Sequence, residues 1–178
     1  MIERIVIAGS GGQGVMLLGK VLAQTAMLEG KQITWFPAYG PEVRGGTSHC
    51  MVTISDQEIG SPYITEADTL IILNQPSLDK FRGMIKRKGL LILNSSLANV
   101  SQDHQIRILQ FPFTDLAIKL GNIKVANMVA LGCYAKVKKI IQVKNILKVF
   151  KSIAPVGNLK ILEVNQRALK EAGDLNYD

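Results

Sequence analysis

The stretch Gly9-Ser10-Gly11-Gly12-Gln13-Gly14 decides how the beginning of this chain folds. It follows a continuously apolar run at residues 5–8 and precedes a long segment with apolar residues at helical spacing, predicted as a helix over residues 13–29. The predicted order is therefore a strand buried on both faces, a glycine turn and a helix. Three of the glycines fit the spacing Gly-x-Gly-x-x-Gly, in which glycine permits positive φ and close approach of a ligand to the backbone.

A glycine turn in front of a helix is suited to a phosphate or pyrophosphate group. The first N–H groups of a helix have no partner within the helix, and the helix dipole places partial positive charge beside them. We therefore predict phosphate binding at residues 9–14. The alternative is a tight strand-to-helix turn that holds no ligand.

The second predicted strand lacks a feature that NAD-binding units share. Residues 32–36 are rich in β-branched and aromatic side chains, and Pro37 is expected to end the strand. NAD-binding units place an Asp or Glu near the end of this strand to hold the ribose hydroxyls. Here the next acidic residue is Glu42, beyond a proline in a loop. A phosphate ligand other than NAD is therefore favoured, with an NAD(P)-binding oxidoreductase as the alternative.

Strand and helix patterns alternate along the rest of the chain. Strands are predicted at residues 50–54, 69–73, 90–93, 106–111 and 161–164, and helices at residues 77–87, 112–120, 127–139 and 144–150. This order predicts a three-layer α/β/α fold with a mostly parallel, Rossmann-like sheet. Because no linker or composition break appears, residues 1–178 are predicted to form a single domain.

Composition narrows the function classes. The apolar runs are much shorter than the roughly 20 residues that a membrane span needs, and no signal segment begins the chain, so a cytoplasmic protein without membrane contact is expected. The net charge is +7, and many lysines lie late in the chain. Aromatic residues do not interleave with them, so a solvated helix face is favoured over a nucleic-acid surface.

Cysteine and histidine are too few for a metal centre. Cys50 and Cys133 are the only cysteines and are far apart in sequence, and only two histidines are present. The chain by itself therefore cannot supply the four cysteine ligands of an iron–sulfur cluster, and no metal site is predicted. Two buried thiols are the favoured interpretation.

The loop after the second strand is the other unusual stretch. Residues 39–46 read Tyr39-Gly40-Pro41-Glu42-Val43-Arg44-Gly45-Gly46. Glycines beside an arginine offer close backbone approach and a forked cation for a phosphate or carboxylate. A functional loop is favoured, and a rigid structural loop with Glu42 paired to Arg44 is the alternative.

Residues 9–14, 39–46 and 127–132 together resemble the gamma subunit of 2-oxoacid:ferredoxin oxidoreductases, and the resemblance covers nearly the whole chain. Members of that family cleave a 2-oxoacid on thiamine diphosphate, pass electrons through iron–sulfur clusters to ferredoxin, and form an acyl-CoA. The resemblance implies that the gamma domain covers the active site and helps to bind coenzyme A.

The resemblance also implies roles for individual residues. The implied coenzyme A contacts are Gly9, Gly11, Gly12, Gln13, Gly14 and Asn127. The implied interface or active-site loop consists of Tyr39, Glu42, Arg44, Gly45, Gly46 and Ser48. From the residues alone, Asn127 can equally cap the helix that begins beside it. No residue of this chain is expected to be catalytic.

Cofactors and partners follow from the same resemblance. The chain has no Gly-Asp-Gly stretch followed by paired asparagines, which a thiamine diphosphate and magnesium site would show. Thiamine diphosphate, magnesium and iron–sulfur clusters are therefore expected on partner chains, namely thiamine-binding alpha and beta subunits and a ferredoxin-like delta subunit. External ferredoxin is the expected electron acceptor, and a homodimer is a further arrangement to test. The sequence does not identify the 2-oxoacid, and 2-oxoglutarate is favoured over pyruvate or branched-chain acids. A non-catalytic assembly module is the remaining alternative for the function.

Overall fold

The computed structural model describes residues 1–38, 47–153 and 159–177. Its elements in chain order are β1 (Ile2–Ser10), α1 (Val15–Leu28), β2 (Gln32–Ala38), β3 (Thr47–Ser55), β4 (Ala67–Ile72), α2 (Gln75–Phe81), β5 (Ile85–Asn94), β6 (Arg107–Phe111), α3 (Phe113–Lys119), α4 (Ala126–Lys138), α5 (Val143–Ile153) and α6 (Leu159–Gly173). Short 3₁₀ turns at Arg82–Met84 and Ile123–Val125 precede β5 and α4.

The strands form one six-stranded sheet in the order β2-β3-β1-β4-β5-β6. The pairs β1–β4, β4–β5 and β5–β6 are parallel, whereas β3 runs antiparallel to both β1 and β2. β3 is therefore the strand that opposes the direction of the others. The crossover from β1 through α1 to β2 passes over β3, so that β1 and β2 run in the same direction without being neighbours.

Helices cover both faces of the sheet. On β1, Ile5 and Ile7 belong to the core shared with α1, α3, α4, α5 and α6, whereas Val6 and Ala8 belong to the core shared with α2. Each of these side chains is fully buried, which explains why the strand is continuously apolar rather than alternating. The predicted three-layer α/β/α fold with a mostly parallel sheet is confirmed.

Two predicted elements differ from the structure. Residues 161–164, predicted as a strand, lie inside α6, because a short apolar run does not by itself distinguish a strand from a buried helix. The helix predicted over residues 77–87 ends at Phe81, and β5 begins at Ile85. Ile85 pairs with Ala67 of β4, so strand pairing overrides the local helical pattern.

Two smaller expectations were also tested. Pro37 was expected to end β2, but the strand continues to Ala38. β2 is at the edge of the sheet, where a proline is tolerated because one side of the strand has no ladder to complete.

Among the described helices, none has the length and apolarity needed to cross a bilayer. The cytoplasmic location stays a prediction.

Gly132 sets the distance between α4 and α6. A Cβ added there would lie 2.6 Å from Cβ of Ala172 and 3.1 Å from the carbonyl oxygen of Leu169. The small residues of α4 therefore serve helix packing at this position. The contact also explains how the apolar side of α6 reaches the core, since the helices approach backbone to backbone.

We predict that Gly132→Ala lowers the free energy of unfolding by about 1–3 kcal/mol, because the added methyl overpacks the α4–α6 contact. Alanine has a higher helix propensity than glycine, so helix propensity alone would predict a gain in stability rather than this loss. The matched control is Gly173→Ala, where an added Cβ meets no described atom within 4 Å and a change within about 0.5 kcal/mol is expected. Equal urea midpoints for the two variants would contradict this packing.

Candidate functional site

The glycine turn follows β1 at the carboxyl edge of the sheet. The backbone N–H of Gln13 donates to the carbonyl oxygen of Ser10 at 3.2 Å and closes the turn. Gly12 and Gly14 have φ angles of 87° and 75°, a region that costs side-chain-bearing residues energy. The predicted strand, glycine turn and helix are therefore confirmed, and these two glycines have a conformational reason to be there.

The side chain of Gln13 holds the turn against its neighbour strand. Its Oε1 accepts from the Ser10 backbone N–H at 2.6 Å, and its Nε2 donates to the Leu73 carbonyl oxygen at 3.3 Å. A Cβ at Gly9 would lie 2.6 Å from the same Oε1. Gly9 therefore leaves room for Gln13, and Gln13 in turn fixes the shape of the turn.

Asn127 joins the turn from α4. Its Nδ2 donates to the Gly14 carbonyl oxygen at 3.2 Å, and the residue is only 2% exposed. It does not cap its own helix, whose N-cap is Val125. A side chain at Gly14 would overlap the Asn127 amide. The two residues are thus fitted to each other, although they are 113 positions apart.

Two asparagines that the sequence analysis missed complete this edge. Asn74, just after β4, donates from Nδ2 to Ser10 Oγ at 2.5 Å and caps α2 by accepting from the Ser77 N–H. Asn94, the last residue of β5, donates from Nδ2 to the Leu73 carbonyl oxygen at 3.0 Å. Their signal in the sequence was an amide residue directly after a buried strand.

The beginning of α1 is open to a ligand. Its N-cap is Gly14, so no side chain caps it, and no acidic residue lies in its first turn. The Leu18 N–H makes the first helical hydrogen bond, to the Gly14 carbonyl oxygen at 2.9 Å. The preceding N–H groups therefore have no partner within the helix and favour an anion at this end.

Two cavities meet at Gly12. The first, the β4–β5 cavity, has a volume of about 130 Å³ and is lined by Gly12, Gln13, Leu73, Leu97 and Ala126, among others. The second, the β1–β3 cavity, has a volume of about 380 Å³ and is lined by Gly11, Gly12, Val15, Ala38 and Ser48, among others. No carboxylate is among the described residues that line either cavity. An anionic ligand at the turn would therefore meet no negatively charged side chain among these described lining residues.

The structure brings together most of the predicted site residues. Gly9, Gly11, Gly12, Gln13, Gly14 and Asn127 lie in or against the turn. Ser48, 6% exposed, reaches the same edge because Ser10 pairs with Thr47. Tyr39, Glu42, Arg44, Gly45 and Gly46 lie outside the described residues, so their predicted role stays a prediction.

The strand order removes the geometric basis of an NAD site. In a dinucleotide-binding unit, the acid that holds the ribose ends the strand next to β1. Here the neighbour of β1 on that side is antiparallel β3, and β2 lies one strand further away. The end of β2 at Ala38 carries no acid either. Both observations argue against NAD at this turn.

Neither cysteine is exposed for reaction in the described site. Cys50 and Cys133 are fully buried, and burial raises the pKa of each thiol to about 12. Cys50 Sγ lies 3.7 Å from the Val15 carbonyl oxygen, beneath the first turn of α1. The part of the chain that the structure describes also has no group of three or more His, Cys, Asp or Glu residues able to hold a metal ion.

The chain is similar to proteins of known family over almost its whole length. The family model described as pyruvate ferredoxin/flavodoxin oxidoreductase matches residues 4–175. The chain belongs to this family. The gamma subunit of a keto/oxoacid ferredoxin oxidoreductase from Geobacter sulfurreducens superposes on it with a TM-score of 0.82 at 30% identity, covering 96% of this chain and 95% of that chain.

Sequence relatives within the family carry several names. The 2-oxoglutarate synthase subunit KorC of Methanocaldococcus jannaschii is 33% identical over 163 residues, or 88% of this chain and 86% of the relative. The ketoisovalerate oxidoreductase subunit VorA of Methanothermobacter thermautotrophicus is 46% identical over 129 residues, or 72% of this chain. The chain spans only 27% of the length of that relative.

We predict that neither thiol reacts with Ellman's reagent in the folded chain at pH 8. With a pKa of about 12, only about one thiol in 10⁴ is ionised at that pH, and the thiolate is the reactive form. Both thiols should react within minutes in guanidinium chloride, which serves as the control. Rapid labelling of one thiol per folded chain would contradict the burial of these side chains.

Proposed function

We propose that the chain is the gamma subunit of a multi-subunit 2-oxoacid:ferredoxin oxidoreductase, in which residues 1–178 act as one gamma-type domain. The complex would decarboxylate a 2-oxoacid oxidatively to an acyl-CoA and reduce ferredoxin. In this proposal the chain binds coenzyme A and covers the active site, whereas the chemical steps occur on partner subunits.

The observation that carries the proposal is the open glycine turn. It offers backbone N–H groups and a helix N-terminus, with a cavity on each side of Gly12 and no carboxylate among their described lining residues. Coenzyme A is an extended ligand whose diphosphate lies between a nucleoside and a long thiol-bearing arm. A phosphate-binding turn between two cavities suits such a ligand.

The proposed roles of the chain's own residues follow from their contacts. Gly11 and Gly12 are exposed and would donate backbone hydrogen bonds to the diphosphate. Gln13 and Asn127 hold the turn in shape through Ser10 and Gly14. Their direct contact with coenzyme A stays a prediction.

The β1–β3 cavity suggests the path of the thiol-bearing arm. Ser48 and Ala38 both line this cavity. The segment 39–46 connects Ala38, the last residue of β2, to Thr47, the first residue of β3. We propose that this side of the turn faces the thiamine-binding subunits, which would hold thiamine diphosphate and magnesium. Iron–sulfur clusters would also lie on partner chains. The arm would then direct its thiol out of this chain and into the shared active site.

The family relatives support a subunit role and name three acids. They include subunits of 2-oxoglutarate synthase, ketoisovalerate oxidoreductase and pyruvate synthase. A 2-oxoglutarate:ferredoxin oxidoreductase from Magnetococcus marinus, solved with 2-oxoglutarate, coenzyme A and succinyl-CoA bound, shares the fold with a TM-score of 0.84 at 19% identity, covering 97% of this chain and 30% of that chain. We propose 2-oxoglutarate as the first substrate to test, followed by 2-oxoisovalerate and pyruvate.

The proposal is tested by isolating the complex through a tag on this chain in its own host. Thiamine-binding and iron–sulfur partners should be recovered, with coenzyme A-dependent reduction of ferredoxin on one of the three acids. The chain alone should be inactive. Recovery of a homo-oligomer without such partners or activity would contradict the proposal.

We predict that Gly12→Asp raises the KM for coenzyme A at least about tenfold above that of Gly12→Asn, which corresponds to roughly 1.4 kcal/mol. The two side chains have the same shape and the same positive-φ strain, so the difference reports the charge facing the phosphate. The kcat at saturating coenzyme A should be similar for both variants. Equal KM values would leave only an assembly role for this chain.

A further inference from the structure

The β4–β5 cavity is apolar on most sides and lies directly beside the turn. Leu73, Leu97, Ile123 and Ala126 contribute aliphatic walls, and Gly12 forms the border with the turn. Leu97 and Ile123 are 45% and 57% exposed, so they form a rim rather than a closed core. Exposed aliphatic side chains that line a cavity can pack against a flat ring.

The polar groups of this cavity are arranged to donate hydrogen bonds. The Thr114 hydroxyl accepts from Asn94 Nδ2 at 2.9 Å, which leaves its own hydrogen to donate. Gln13 Nε2 uses one hydrogen for the Leu73 carbonyl oxygen and keeps a second. A ring that carries nitrogen acceptors matches these donors.

The cavity has the size of an aromatic ring. Its volume is about 130 Å³, and an apolar cavity of about 150 Å³ holds benzene in another protein. Because the cavity opens at the rim formed by Leu97 and Ile123, a somewhat larger bicyclic ring can enter with one edge left outside. The substituents of that ring would then project towards Gly12.

Lys124 adds a cation at the same rim. It lines the cavity and is exposed, and no ion pair involving it occurs among the described residues. Its position is fixed from the backbone, because the Asn122 side chain accepts from the Lys124 N–H at 3.0 Å. A phosphate placed between the cavity and the turn would therefore meet a positive charge held beside the opening.

From these observations we propose that the β4–β5 cavity binds the adenine ring of coenzyme A and that Lys124 binds its 3′-phosphate. This placement rests on the proposed function, since it requires the diphosphate at residues 11–12. The ribose then lies at the cavity opening, with the 3′-phosphate on the side of Lys124. The lysine thereby distinguishes coenzyme A from its analogue without the 3′-phosphate.

The test uses the assembled complex with three acyl acceptors: coenzyme A, dephospho-coenzyme A, and pantetheine, which lacks the nucleotide. Lys124→Gln should raise the KM for coenzyme A about tenfold, as loss of one charge-assisted hydrogen bond implies, and leave the KM for dephospho-coenzyme A unchanged. The matched control is Lys119→Gln, an exposed lysine of α3 that is not among the described lining residues.

A second variant tests the ring site itself. Ala126→Leu narrows the cavity and should raise the KM for both nucleotide acceptors about tenfold, with the KM for pantetheine and the kcat unchanged. Equal effects of Lys124→Gln on coenzyme A and dephospho-coenzyme A would overturn the placement of the 3′-phosphate. An unchanged coenzyme A KM for Ala126→Leu would overturn the adenine site.

These outcomes are separable from failure of the proposed function. If Gly12→Asp raises the KM for coenzyme A while the Lys124 and Ala126 variants do not, the phosphate turn stands and the adenine placement is wrong. If none of the three variants changes the KM for coenzyme A, the proposed coenzyme A role of this chain is wrong as well. Recovery of intact complex with each variant shows that the kinetics report on binding rather than on assembly.

Discussion

The carbonyl oxygen of Leu73 accepts hydrogen bonds from two side chains, Gln13 and Asn94, and the shape of the whole carboxyl edge depends on it. Gln13 connects this carbonyl oxygen to the glycine turn, because Oε1 of the same side chain accepts from the Ser10 backbone N–H. Asn94 connects it to α3, because Asn94 Nδ2 also donates to the Thr114 hydroxyl. The glycine-rich turn is held in one conformation by its own Gln13 and by amide side chains that reach it from the end of β4 and from α4. The turn is therefore ordered before any ligand arrives.

In the proposed function, that preorganisation lets this chain serve a reaction whose chemical steps occur on partner subunits. The turn is fixed from behind by Gln13 and Asn127, while Gly11 and Gly12 remain exposed in front. Binding a diphosphate there would require little rearrangement of this chain. The two cavities that share Gly12 would then take the two ends of the proposed extended ligand.

The sequence predicted the features that depend on local pattern. The continuous apolar run of β1 and the glycine spacing were sufficient to predict a strand, turn and helix. The antiparallel insertion of β3 between β1 and β2 was not predictable, because register and strand order arise from long-range pairing. The support from Asn74 and Asn94 was missed for the same reason. Asn74 bonds to Ser10, 64 positions away, and Asn94 bonds to Leu73, 21 positions away. Residues 161–164 were misassigned because a short apolar run fits a strand as well as a buried helix, and in the structure they lie inside the long helix α6.

The most direct test of coenzyme A binding at the glycine turn is a structure of the assembled complex with coenzyme A bound. The diphosphate oxygens should lie within hydrogen-bonding distance, about 2.7–3.2 Å, of the backbone N–H groups at Gly11, Gly12 and the start of α1. The hydrogen bonds of Gln13 to Ser10 and Leu73 should be unchanged from those described above. A diphosphate bound elsewhere, with the turn facing solvent or only a partner chain, would contradict coenzyme A binding at this turn.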